Sequence, residues 1–141
     1  MLTREEYIKR VTILGRYCYP ERGEETARIV FSCLKETLSG ESLRAVSELL
    51  PGPVKGLWQE APFDGRASGK AEDCISLAKE RGKYPYRAAA ERAFEVIFAS
   101  LGEILGDDGK IRMAEVLPPP LRALFERSRS CALDGAAEDF L

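Results

Sequence analysis

Leu50-Pro51-Gly52-Pro53-Val54-Lys55-Gly56-Leu57-Trp58 returns 67 positions later as Leu117-Pro118-Pro119-Pro120-Leu121-Arg122-Ala123-Leu124-Phe125. Proline cannot extend the helix that precedes it, because it lacks an N–H and its ring meets a carbonyl one turn back. Its fixed φ nevertheless suits the first turn of a new helix. Each stretch therefore predicts the end of a short helix, a sharp turn and a further helix. That last helix presents Val54, Leu57 and Trp58 in one copy, and Leu121, Leu124 and Phe125 in the other, as core plugs.

The same register holds upstream without a gap. Ile8 falls on Ile75, Gly15 on Gly82, Tyr17 on Tyr84, Tyr19 on Tyr86, Phe31 on Phe98, Leu34 on Leu101 and Glu36 on Glu103. A register kept over a whole unit is the mark of an internal repeat. Each unit reads as four helices. The first opens on the capping-box pattern Thr3-x-x-Glu6 and carries Tyr7, Ile8, Val11 and Leu14 at helical spacing. The second has the clearest apolar face: Ala27, Val30, Phe31, Leu34 and Leu38, repeated as Phe94, Ile97, Phe98, Leu101 and Leu105. Ser39-Gly40 and Gly106-Asp107 break these helices, and Leu43, Val46 and Leu49, or Met113 and Val116, mark short third helices.

The expectation is an all-α helical bundle made of two tandem, pseudo-symmetric four-helix repeats within one domain, 1–141. Unit one covers about 4–61, a linker about 62–69, unit two about 70–128 and a C-terminal tail 129–141. Each half is small for a core of its own, so the two second helices are expected to pack across a pseudo-two-fold axis. The acidic tail ends in Phe140 and Leu141, which can dock or fray.

The duplicated Leu-Pro-x-Pro segment, with Glu48-Leu49-Leu50-Pro51 before Leu57-Trp58 and Glu115-Val116-Leu117-Pro118 before Leu124-Phe125, resembles a group of uncharacterised bacterial proteins, domain of unknown function 2267. The resemblance spans about residues 4–128 and rests on apolar positions, prolines and turns. It implies a duplicated helical unit and brings no catalytic residue. The chain departs from that group's usual pattern at both interhelical loops, where tyrosine pairs sit.

Composition bounds the function. Hydrophobic residues at 45% and charged residues at 31% describe a globular chain, not a disordered one. With 21 basic against 23 acidic residues, net charge −2, there is no global electrostatic reason to bind nucleic acid or an anionic membrane. No apolar run approaches the roughly 20 residues of a membrane span, and Met1 to Glu6 lacks the apolar segment of a signal peptide. A cytoplasmic location without membrane association is expected. Cys18, Cys33, Cys74 and Cys131 are scattered, which suits reduced structural thiols, with Cys33 in the core.

The chain has no histidine, which excludes Ser-His-Asp and Cys-His catalysis. Phosphate-cradling and dinucleotide glycine motifs are missing too. Asp107-Asp108-Gly109 followed by Glu115 imitates half of a calcium loop, but Ile104 and Gly106 would fall on the first ligand positions, so no metal or cofactor is expected. The acidic residues, including the matched Glu36 and Glu103, read as polar helix faces. Gly15 and Gly82 read as helix terminators.

The distinctive local feature is Gly15-Arg16-Tyr17-Cys18-Tyr19 and its echo Gly82-Lys83-Tyr84-Pro85-Tyr86, followed by Arg87. Arg16, Tyr17, Tyr19, Lys83, Tyr84, Tyr86 and Arg87 are the candidate binding residues, because basic and aromatic side chains together make protein hot spots or phosphate-and-base sites. The alternative reading is packing, with the tyrosines roofing the core. The expected function is that of a non-enzymatic interaction or scaffold module, with a protein partner or a second copy. The runner-up is binding of nucleic acid or an anionic ligand through the same loops.

Overall fold

The computed structural model describes residues 3–38, 40–61 and 72–128. All their regular structure is helical, and no described helix is long and apolar enough to cross a membrane. The helices are α1 (Arg4–Gly15), α2 (Pro20–Thr37), α3 (Gly40–Leu49), α4 (Gly52–Glu60), α5 (Glu72–Arg81), α6 (Arg87–Val116) and α7 (119–128). The linker expected at 62–69, the tail with Phe140 and Leu141, and Cys131 lie outside the described residues.

Local chemistry sets the helix ends. Thr3 and Glu6 close the capping box reciprocally: the Glu6 N–H donates to Thr3 Oγ1 at 3.1 Å, and the Thr3 N–H donates to Glu6 Oε1 at 3.3 Å. Pro51 stands just before α4, where Lys55 N–H donates to its carbonyl at 2.8 Å. Arg122 N–H donates to the Pro118 carbonyl at the same distance before α7. The expected break near Gly106 is a kink inside α6, where Gly106 takes φ 75° and ψ 177°, a conformation a side chain would oppose. The limbs on either side are 87–105 and 107–116. Asp107 opens the second limb and faces Lys110 at 4.0 Å.

α2 and α6 are the central helices. Every residue from Val30 to Leu38 is buried, as is every residue from Val96 to Gly102, so these stretches are enclosed on all sides. α2 and α6 touch each other. α1 packs on both of them, and so does α5; α3 lies on α6, and α4 lies on α2 and α1. The aromatic plugs meet the central helices edge to face. Trp58 of α4 packs on Phe31 at 5.5 Å between ring centroids, and Phe125 of α7 on Phe98 at 5.6 Å.

Enclosing α2 buries Ser32, Lys35, Glu36 and Thr37, which a reading of surface faces leaves outside. Each has a partner. The Lys35 ammonium donates to the carbonyls of Trp58 at 2.8 Å and Ala61 at 3.0 Å, closing the last turn of α4. Thr37 Oγ1 donates to the Cys33 carbonyl at 2.8 Å. Glu36 is no solvated surface acid: it is 4% exposed and ion-paired with Arg81 of α5. Burial is tolerated because that guanidinium arrives from a helix remote in sequence. Glu103 does face solvent, and takes Arg10 of α1 bidentately at 2.6 and 2.9 Å. Cys33 and Cys74 are buried, whereas Cys18 is exposed in the loop after α1.

Candidate functional site

The two tyrosine loops are built alike. After α1 the chain turns through Arg16 in the left-handed region (φ 57°), with Tyr17 N–H donating to the Thr12 carbonyl at 2.9 Å. After α5 it turns through Lys83 (φ 55°), with Tyr84 N–H donating to the Lys79 carbonyl at 3.0 Å. Both are C-terminal caps that reach back five residues. The left-handed position therefore falls on Arg16 and Lys83 and not on the glycines expected to terminate the helices. Gly15 and Gly82 serve a different need. The ring of Tyr17 folds over Gly15 and that of Tyr84 over Gly82, so closely that a Cβ at either glycine would collide with the ring.

The inner and outer tyrosines part company. Tyr17 and Tyr84 are half-buried against the body, while Tyr19 and Tyr86 are 65% and 66% exposed at the residues that precede α2 and α6. Tyr84 reaches α2, where it hydrogen-bonds Thr26 and stands beside Tyr17. Burial, with the neighbouring Tyr17 phenol adding to it, pushes its hydroxyl up to about 12. Through this contact the loops adjoin at one end of the bundle. Arg92 of α6 strengthens the junction by donating to the Leu14 carbonyl at 3.4 Å.

Of the candidate residues, Arg16, Tyr17, Tyr19, Lys83, Tyr84 and Tyr86 belong to this end, and Arg16 and Lys83 are exposed. Arg87 turns elsewhere. It faces Glu91 at 3.7 Å and Ser76 at 3.4 Å, and lines a cavity of about 310 Å³ bounded by α5, α6 and α7. A shallower hollow of about 430 Å³ lies over the Arg10–Glu103 pair, beside Tyr7 and Ile13.

Two buried polar pairs were not legible as pairs from the sequence. The Tyr7 hydroxyl of α1 and the Ser100 hydroxyl of α6 lie 2.8 Å apart in the core. Cys74 of α5 and Cys33 of α2 are neighbours, and Thr37 Oγ1 donates to Cys74 Sγ at 3.3 Å. Burial pushes both thiols up to about 12, outweighing the opposing pull of Arg81 on Cys33 and of the Thr37 hydrogen bond on Cys74, so neither is a thiolate nucleophile at neutral pH. Among the described residues no three cysteine or acidic side chains converge as metal ligands would.

No protein-family model matches the chain, and no curated protein matches it.

Proposed function

We infer that the chain is a non-enzymatic interaction module, made of two four-helix units related by a pseudo-two-fold axis. Its binding face is the end where the tyrosine loops adjoin. The observation that carries this reading is the division of labour within each loop. One tyrosine anchors the loop to the body; the next, two residues on, stands two-thirds in solvent at a helix start, and the same loop carries an exposed basic residue, Arg16 or Lys83. Rigid, exposed tyrosines flanked by arginine or lysine are the side chains that dominate protein interfaces. Support for two units comes from helix starts and caps spaced 67 positions apart, and from contacts that exchange between halves. The duplicated Leu-Pro-x-Pro pattern, of the kind found in domain of unknown function 2267, points the same way. A protein, whether another chain or a second copy, is favoured over nucleic acid, because the basic residues at this end are interspersed with Glu21 and Glu25.

The test is affinity capture of the wild-type chain and of a Tyr19→Ala/Tyr86→Ala variant from native extract, at low and high salt. Both side chains are exposed, so the variant keeps its fold. A stoichiometric protein held by the wild type at high salt and lost by the variant supports the reading. Nucleic acid held only at low salt, by wild type and not variant, moves the anionic-ligand reading into first place. Identical capture by both chains would falsify the tyrosine face.

A further inference from the structure

One stretch of the central helices is closed in the first half and open in the second. Glu36, Thr37 and Leu38 of α2 are buried. Their matches 67 positions on, Glu103, Ile104 and Leu105 of α6, are not: the Glu103 side chain is 32% exposed, and the two aliphatic residues are half-buried. The hollow of about 430 Å³ opens here, between Ile104 and the α1 residues Glu6, Tyr7 and Ile13. Ile13 is 43% exposed at its rim, so apolar surface there is still in water.

Chain order says what belongs there. In the first half the end of α4 sits on α2, with the Trp58 and Ala61 carbonyls on Lys35. The start of α5 sits two residues further along α2, with Cys74 Sγ on the Thr37 hydroxyl. The ten residues 62–71 join those two points. In the second half the end of α7 sits on α6, with Arg127 on Glu95, the Glu60–Arg28 pair with its polarity reversed. The start of α1 sits on the same helix, with Tyr7 on Ser100 and Arg10 on Glu103. A two-fold that carries α4 onto α7 and α5 onto α1 carries 62–71 onto 129–138. The thirteen residues 129–141 are therefore long enough to run from the end of α7 to the start of α1, beside the hollow, with Asp139, Phe140 and Leu141 to spare.

We propose that residues 129–141 fold back across α6 and seat Phe140 and Leu141 in this hollow, against Ile13 and Ile104. The charges of the lining balance, Glu6 and Glu103 against Lys9 and Arg10, so apolar surface within reach selects the occupant, not net charge. Phe140 and Leu141 supply that surface. Glu138 and Asp139, just before them, fall at the rim, where Lys9 is exposed. The proposal rests on the two-unit arrangement and not on the tyrosine face, which lies on other residues.

The experiment takes the full chain, labelled with ¹³C and ¹⁵N, and reads nuclear Overhauser contacts from the Phe140 ring to the methyl groups of Ile13 and Ile104. Those contacts are expected in the parent. They should vanish in Ile13→Asp, with the Phe140 and Leu141 shifts returning to those of an unstructured peptide. Ile13 is exposed, so this variant keeps its core, and a retained Tyr7–Ser100 contact shows it folded. Phe140→Ala/Leu141→Ala should move the Ile13 and Ile104 amides and leave those of Phe31 and Leu34 in place. A parent without ring-to-methyl contacts, or Ile13 and Ile104 amides unmoved in the double variant, overturns the proposal. So do contacts found only between labelled and unlabelled chains in a mixed sample, because a second copy then fills the hollow. Loss of the Tyr7–Ser100 contact in the parent fells the two-unit arrangement and the proposal with it; its presence without the Phe140 contacts fells the proposal alone. Neither outcome bears on capture through Tyr19 and Tyr86.

Discussion

Two interfaces do the same job with different chemistry. Where α1 meets α6, Tyr7 and Ser100 share a buried hydrogen bond and Arg10 holds Glu103 at the surface. Where α5 meets α2, the positions 67 away from Tyr7 and Ser100 are Cys74 and Cys33, again neighbours, and the position 67 before Glu103 is Glu36, held by Arg81. In each case the first helix of one half is tied to the long helix of the other. At the ion pair the glutamate stays and its arginine comes from a different turn of the partner helix. At the buried pair both residues change together, because a buried polar group tolerates substitution only if its partner changes too. The same holds at the outer faces. Lys35 caps the carbonyls of Trp58 and Ala61 in one half; in the other, its position is Gly102, and Ser128 Oγ donates to the Phe125 carbonyl at 2.8 Å.

The largest effect should come from the aromatic plugs, and it asks whether the halves share one core. Phe98→Ala and Phe31→Ala each remove a fully buried ring and are expected to cost about 3–5 kcal/mol. Urea unfolding followed by both Trp58 fluorescence and circular dichroism checks it. Coincident curves in both variants mean one cooperative core. If Phe98→Ala moved the circular-dichroism transition and left the Trp58 signal in place, the halves would be separate folding units.

A smaller effect separates the two cross-links. The Glu36 side chain is 6% exposed and its Arg81 partner 32%, so Arg81→Ala strands a buried carboxylate and should cost about 3 kcal/mol. Arg10→Ala, which opens a pair between side chains 50% and 32% exposed, should cost less than about 1 kcal/mol. Comparing the denaturation midpoints of the two variants decides it. Equal losses would mean that the buried link carries no more weight than the exposed one.

Helix ends and plugs were legible because their causes are local. Thr3-x-x-Glu6 caps itself, and the prolines at 51 and 118 stop and start helices without help from the rest of the chain. The four-residue polar cluster at Ser32, Lys35, Glu36 and Thr37 reads as a surface face, and only the arrival of α4 and α5 shows that it is enclosed. The glycines illustrate a subtler failure. Gly15 stands where a helix-terminating glycine belongs, but what demands it is a ring two residues on, folded back over its Cα. That the tyrosines divide into anchored and exposed pairs also depends on a tertiary contact, Tyr84 against α2, which no spacing in the sequence announces.

Alkaline pH sharpens the contrast between the thiol pair and the hydroxyl pair. Cys33 and Cys74 keep their protons to about pH 12 when folded, against about 9 for an ordinary thiol. Between those values the unfolded chain loses protons that the folded chain retains, so stability falls as pH rises. By pH 10 the loss amounts to about 1 kcal/mol per thiol. Burial likewise holds the Tyr7 hydroxyl above its ordinary 10, so the Tyr7–Ser100 pair adds to the decline only from there upward. The Cys33→Ala/Cys74→Ala variant should lose this share of the decline between pH 8 and 10, its profile rising relative to the parent's by an amount that grows with pH, in thermal melts across that range. The contribution of Lys35, which burial holds below the usual ammonium range, is the same in both chains and cancels in the comparison. Parallel profiles for parent and variant would contradict the burial of both thiols.

The smallest effect concerns the reversed ion pairs. Arg127→Glu alone sets two carboxylates against each other, and adding Glu95→Arg restores attraction, so the double variant should return to within about 0.5 kcal/mol of the parent. The same exchange at Arg28 and Glu60 should not be neutral. Glu60 also takes Arg4, whose hydrogen bonds, with those of Arg28, hold its carboxyl down at about 2. Removing it leaves Arg4 facing a cation. The first-half exchange should therefore lower the melting temperature more than the second-half exchange, and raised salt should narrow the gap, since these charges are exposed. The parent should show the matching acid limb: stability contributed by Glu60 is present above about pH 4.5 and drains away as pH falls toward 2. If both exchanges proved equally silent at low salt, Arg4 would be a bystander to the Arg28–Glu60 pair, and the two ion pairs would differ in polarity alone.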